Sequence, residues 1–173
     1  MSQPIDFSRL TLMDALDFAV LVEDEAKERY QEFADQMDMH HTAEAAQFFR
    51  FMVGNESKHG EELARRRKAL FGDAPRRVSP SQLWGVEAPD YEQARAFMTP
   101  RQALEVAYAS EVKAHGFFKD ALPHIKDPDV KALFTELLAE EVAHQDLVKK
   151  ELSKLPPGPD AEQEDFADEP VAL

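Results

Sequence analysis

The stretch NESKHGEEL, residues 55–63, sets Glu56 and His59 three residues apart inside a helical pattern, and AEEVAHQDL, residues 139–147, repeats the arrangement with Glu141 and His144. On a helix, residues three apart project about 60° from one another, so each pair can reach one metal ion or two adjacent ones. The two pairs are either a coincidence of composition or two halves of one metal site.

The surrounding periodicity favours the second reading. From about Thr11 to Asp38, apolar residues recur at intervals of three and four: Leu12, Leu16, Ala19, Val22, Ala26, Tyr30, Phe33 and Met37. Thr11 with Asp14 resembles a capping box at the start. A second helix is predicted from Thr42 as N-cap to about Phe71, where Gly72 and Pro75 stop it. Its apolar face takes in Ala45, Phe48, Met52, Leu63 and Leu70. Thr99, Pro100 and Gln102 open a third helix that runs to about Leu122, and Asp127 with Pro128 opens a fourth that runs to about Leu155. Between helices two and three lies GDAPRRVSPSQLWGVEAPD, residues 72–90, an irregular segment in which Trp84 is expected to cover a bundle face or a subunit contact. YEQARAF, residues 91–97, reads as one short helix. Four helices joined by a short turn, a long crossover and a short turn predict an all-α antiparallel four-helix bundle over residues 1–155. Residues 156–173, acidic and proline-rich, read as a disordered tail.

The two helical hairpins match each other. With Glu23 on Glu111, Ala26 falls on Ala114 and Tyr30 on Phe118. With Glu56 on Glu141, His59 meets His144 and Leu63 meets Val148. Each half thus offers one glutamate from its first helix and a Glu-x-x-His from its second. Glu23 shares the apolar stripe of Ala19, Ala26 and Tyr30, and Glu111 that of Ala107, Ala114 and Phe118. Buried carboxylates without cations are strongly unfavourable. Two divalent cations would balance four of them, with one histidine capping each. Tyr30 is placed equally well to donate a hydrogen bond to a ligand carboxylate or to serve as an amphipathic core residue. Gly54, inside the second helix, either permits close packing or a local distortion. The run RRRKAL, residues 65–70, reads as a solvated last turn complementing the helix dipole.

Composition narrows the chemistry. The net charge of −14 argues against nucleic acid, which requires cationic surface to displace counterions, and against anionic membranes. The chain has no cysteine, which removes disulfides, thiolate nucleophiles and iron–sulfur centres and leaves oxygen and imidazole nitrogen as metal donors. The N-terminus MSQPIDFSRL shows no apolar run after a basic segment, and no stretch approaches a membrane span. The cytoplasm is the expected compartment. Docking inside a larger shell through the tail is a further localisation the tail would permit.

VEDEAKERYQEFA (residues 22–34), NESKHGEELARR (55–66) and LAEEVAHQDLVKK (138–150) resemble the first, second and fourth helices of the rubrerythrin-like branch of the ferritin-like superfamily. The resemblance spans about residues 11–155 and implies a centre of two iron ions, for which zinc or manganese could substitute, held by Glu23, Glu56, His59, Glu111, Glu141 and His144. It implies Glu56 and Glu141 as bridging carboxylates. Two departures stand out. Rubrerythrins carry a further glutamate one turn after the third-helix ligand, where this chain has Ala114, so its set is nearer that of bacterioferritin. They also carry a cysteine-ligated rubredoxin domain, absent here, so electrons for a peroxidase reaction would come from an external donor. The implied function is oxidation of Fe(II) by O2 or H2O2, ferroxidase- or peroxidase-like, in iron handling and oxidative-stress defence, by a homodimer. The alternative from another class is a zinc- or manganese-stabilised bundle that binds a partner without turnover.

Overall fold

A computed structural model describes residues 5–79, 85–93, 95 and 97–156. Trp84 and residues 157–173, nearly all of the expected tail, lie outside the described residues. Four helices carry the fold: α1 Leu12–Met39, α2 Ala43–Phe71, α3 Pro100–Ala121 and α4 Pro128–Leu152. Single 3-10 turns occupy Phe7–Arg9, Tyr91–Gln93 and Leu122–His124, and no strand occurs among the described residues.

The helix starts follow the capping chemistry. The Thr99 hydroxyl accepts from Gln102 N–H while the Gln102 side chain accepts from Thr99 N–H, a complete capping box. Asp127 accepts from the N–H groups of Asp129 and Val130. Thr11 accepts from Asp14 N–H, but its hydroxyl donates to the Asp14 carboxylate, so the box at α1 is only half made. Thr42 differs from expectation. Its hydroxyl turns back to donate to the Met37 carbonyl at 3.0 Å and caps nothing in α2. The turn there is tight, with His41 at φ 60°. Of the described residues in 91–97, Tyr91–Gln93 form a 3-10 turn.

α1 packs along α2 and α3 along α4. The core falls into two apolar clusters, and their order along each helix fixes the topology. One holds Leu16, Phe18, Ala19 and Val22 of α1, Leu63 of α2, Ala114 and Phe118 of α3, and Leu133, Phe134 and Leu137 of α4. The other holds Ala26, Tyr30 and Phe33 of α1, Phe49 and Met52 of α2, Leu104 and Ala107 of α3, and Val148 of α4. α1 and α4 therefore run from the first cluster to the second, and α2 and α3 run the opposite way. A chain leaving α2 at the first cluster must return the length of the bundle before α3 can begin. At 1.5 Å per residue, α3 is about 33 Å long. The crossover makes that return, with Val86 in the first cluster and Met98 in the second.

Three further residues depart from the periodic reading. Phe49 is fully buried on α2 where Phe48 is only half-buried, and Leu70 is 55% exposed. Arg67 is not solvated. It lies buried, donating to Asp17 at 2.8 and 3.2 Å and to the carbonyls of Gly72 and Ala74 at 2.9 and 2.6 Å, which pins the start of the crossover to α1. The close approach of α1 and α2 occurs at Gly60, where an added Cβ would stand 3.3 Å from the Glu23 Cβ, whereas nothing lies within 4 Å of that position at Gly54.

These two glycines should respond oppositely. Gly54→Ala is expected to stabilise the protein by about 0.5–1 kcal/mol through helix propensity. Gly60→Leu is expected to destabilise it by about 1–3 kcal/mol through overpacking. Denaturant unfolding of both variants checks the pair.

Candidate metal centre

The seam between the two apolar clusters is polar on every helix. Glu23 falls between Val22 and Ala26, Glu56 between Met52 and Leu63, Glu111 between Ala107 and Ala114, and Glu141 with His144 between Leu137 and Val148. Glu23, Glu56, Glu111, Glu141 and His144 are all less than 9% exposed. The heptad-like stripes bring each residue inward at the same level because the hairpins are of similar length and opposed direction.

A fifth carboxylate, which the sequence reading missed, joins them. Glu87 of the crossover is 1% exposed. One ligand atom each from Glu56, Glu87, Glu111 and His144 lies within 4.8 Å of the others. Glu23 and Glu141 flank this group. The charge of Glu56 acts on Glu23, and that of Glu111 on Glu141. His144 Nδ1 stands 3.1 Å from Glu111 Oε2, and Gln145 Nε2 donates to the Glu111 carbonyl at 3.3 Å. His59 lies at the rim. Its ring centre is 4.7 Å from that of His144, its Nδ1 is 4.0 Å from Glu140 Oε2, and its side chain is 29% exposed.

The electrostatics show what such a layer needs. Burial, then the charge of Glu56, holds Glu23 well above its ordinary range. Burial raises Glu56 to about 7, with Glu111 the leading charge, and raises Glu141 to about 11, again with Glu111 next. Burial, then Glu23, holds Glu87 well above its range. Burial lowers the His144 imidazole, but the hydrogen bond and charge of Glu111 outweigh it and leave the group raised. Burial and His144 lower His59. Glu23 Oε2, both oxygens of Glu56 and of Glu87, Glu111 Oε1 and Glu141 Oε2 are buried with no hydrogen-bond partner. Buried carboxylate oxygens left unpaired are the exception in folded proteins. Oxygen and imidazole donors gathered in a buried seam fit hard or borderline cations such as iron, manganese or zinc.

Tyr30 is fully buried beside this layer, in the second cluster. The Ser110 hydroxyl interacts with the phenol and donates to the Val106 carbonyl at 3.3 Å. Burial and the charge of Glu111 raise the phenol well above its usual range.

The sign of the resulting pH dependence follows from these shifts. Between the ordinary glutamate value of 4.5 and the folded value near 7 for Glu56, or near 11 for Glu141, the unfolded chain has lost protons that the folded chain retains. Stability therefore falls as pH rises through that window. His144 acts in the same sense; His59 acts oppositely, below its ordinary value of 6.5. Metal-free protein is expected to melt at a higher temperature at about pH 5 than at about pH 8. Glu56→Gln should flatten the decline, whereas general charge repulsion would leave it intact.

A profile of the Rubrerythrin family matches residues 14–97 and 102–171. The crystal structure of an uncharacterised conserved protein from Magnetospirillum magnetotacticum MS-1 superposes with a TM-score of 0.65 at 32% sequence identity, covering 87% of this chain and 99% of that one. No curated protein gives a significant match. The ferritin-like four-helix bundle, the buried carboxylate–histidine layer and a family profile spanning most of the chain lead to one conclusion: this chain belongs to the Rubrerythrin family.

Proposed function

We propose that the chain is a di-iron carboxylate oxidoreductase that oxidises Fe(II) with O2 or H2O2. The observation that carries this reading is the set of unpartnered, buried carboxylate oxygens at mid-bundle, beside an imidazole and within reach of one another. Glu23, Glu56, His59, Glu111, Glu141 and His144 are the residues proposed to hold the two ions. Iron bound there would supply two electrons to the oxidant, one from each ion.

The chain's own residues do the rest. Carboxyl groups that hold protons in the metal-free centre release them as cations enter, which ties binding to pH. Two apolar clusters seal the layer above and below. A low-dielectric enclosure strengthens each carboxylate–cation interaction. Access is proposed through a cavity of about 350 Å³ lined by His59, Glu62, Arg66, Glu136 and Glu140. His59, half-buried between this cavity and His144, connects it to the layer. Arg66 pairs with Glu136 at 2.8 Å, leaving Glu62 and Glu140 as the nearer carboxylates for an arriving cation. A homodimer is part of the same reading, supported by an apolar groove lined by Phe48, Phe51, Leu104 and Leu155. Peroxidase turnover would draw on an external electron donor.

Anaerobic titration of metal-free protein with Fe(II), followed by admission of O2 or H2O2, tests the proposal. The expected result is uptake of two irons per chain and iron-dependent consumption of the oxidant. Glu56→Ala and His144→Ala are each expected to lower the oxidation rate by at least the roughly ten- to hundredfold that loss of a metal site's outer-shell partners produces. Stoichiometric zinc or manganese binding with no consumption of either oxidant would instead favour a metal-stabilised binding protein.

A further inference from the structure

Crossovers in helical bundles are connectors, yet this one delivers a charged side chain to the interior. The segment 85–91 is held from both sides. Gly85 N–H donates to both carboxylate oxygens of Glu25 on α1, at 3.1 and 3.2 Å. The Arg29 guanidinium, also on α1, donates to the Pro89 carbonyl and stacks 3.3 Å above the Tyr91 ring. Lys113 Nζ on α3 donates to the Ala88 carbonyl at 2.7 Å. Gly85 takes φ +72°, a conformation that a side chain would strain. Val86 and Ala88 are buried to either side. With its neighbours' backbone tied outward to α1 and α3, Glu87 has both carboxylate oxygens buried and without a hydrogen-bond partner, within 4.8 Å of ligand atoms of Glu56, Glu111 and His144.

Among the described residues, neither oxygen of Glu87 has a donor in hydrogen-bond geometry. Lys113 of α3 and Arg29 of α1, the cations that hold this segment, donate to its backbone carbonyls. A carboxyl group so placed either keeps its proton or takes a cation.

We propose that Glu87 is a metal ligand contributed by the crossover, so that a cation in the centre clamps residues 85–90 onto the bundle. The inference rests on the metal-centre reading above and extends it. The centre then has five carboxylates in place of four. Two divalent ions leave it one negative charge in excess, and two trivalent ions leave it one positive charge. The fifth carboxylate therefore favours occupants of higher total charge. It also makes the crossover a part of the site, so metal occupancy is reported in the mobility of a segment outside the four helices.

The test uses the full-length chain, freed of metal and titrated with Mn(II) as a redox-inert probe, with hydrogen exchange followed by peptide. In the wild type, Mn(II) is expected to slow amide exchange across residues 85–90 as well as in the helices. Glu87→Gln keeps the shape and removes the charge; Glu87→Ala removes the ligand atoms altogether. Both variants are expected to lower Mn(II) affinity about ten- to a hundredfold and to lose the metal-dependent slowing at 85–90 while the helices retain theirs. Wild-type affinity together with wild-type slowing at 85–90 in both variants would overturn the inference and leave the helical site standing. A wild-type chain that binds neither Mn(II) nor Fe(II) would overturn the metal centre and the inference together.

Discussion

Repulsion among carboxylates in a buried layer is the constraint on which this bundle is organised. Five glutamates share the seam between two apolar clusters, with oxygens that no protein donor satisfies. An unpaired buried charge costs several kcal/mol even after relaxation. The metal-free protein lessens that cost by retaining protons, which is why Glu23, Glu56, Glu87 and Glu141 are all held above their ordinary range. Cations would remove it by replacing the protons. The helices above and below the layer provide the hydrophobic stabilisation that lets the fold carry such a centre at all.

The layer has a graded architecture. Glu56, Glu87, Glu111 and His144 form its tight part. Glu23 and Glu141 stand against it, and His59 faces outward toward a cavity lined by both glutamates and arginines. This grading makes the two halves of the internal repeat unequal. His144 is buried and bound to Glu111, whereas His59, its counterpart, is partly exposed. The protonation preferences diverge accordingly: Glu111 raises one imidazole, and burial with a neighbouring histidine lowers the other. A repeat in sequence has become a polarity in space, with one histidine interior and one toward solvent.

The polar anchors of the crossover belong to the same logic. The pairing of Arg67 with Asp17 and the contacts of Glu25, Arg29 and Lys113 hold the returning segment at its start and its middle. A segment tied at these points presents the same residue to the interior each time the chain folds. Long loops without regular structure are usually mobile or functional; here the hydrogen bonds supply the order that secondary structure would otherwise give.

Much of this was legible in the chain itself. Apolar spacing and caps at Thr11, Thr99 and Asp127 defined the helices within a few residues, because periodicity and capping are local. The repeated Glu-x-x-His with a matching upstream glutamate placed Glu56, Glu111 and His144 together, because each lies on an inward stripe. Glu87 had no such signal. It sits in WGVEAP, residues 84–89, where no helical period says which way a side chain points. Arg67 was misread for a related reason: in a run of basic residues, local pattern favours solvent, and only the position of Asp17 fifty residues earlier turns it inward. Which of its residues the crossover turns toward the centre is a property of packing. The sequence determined which residues could form the layer on the helices; the tertiary structure alone decided that the crossover sets Glu87 against it, because long-range contacts and not local periodicity set the path of an irregular segment.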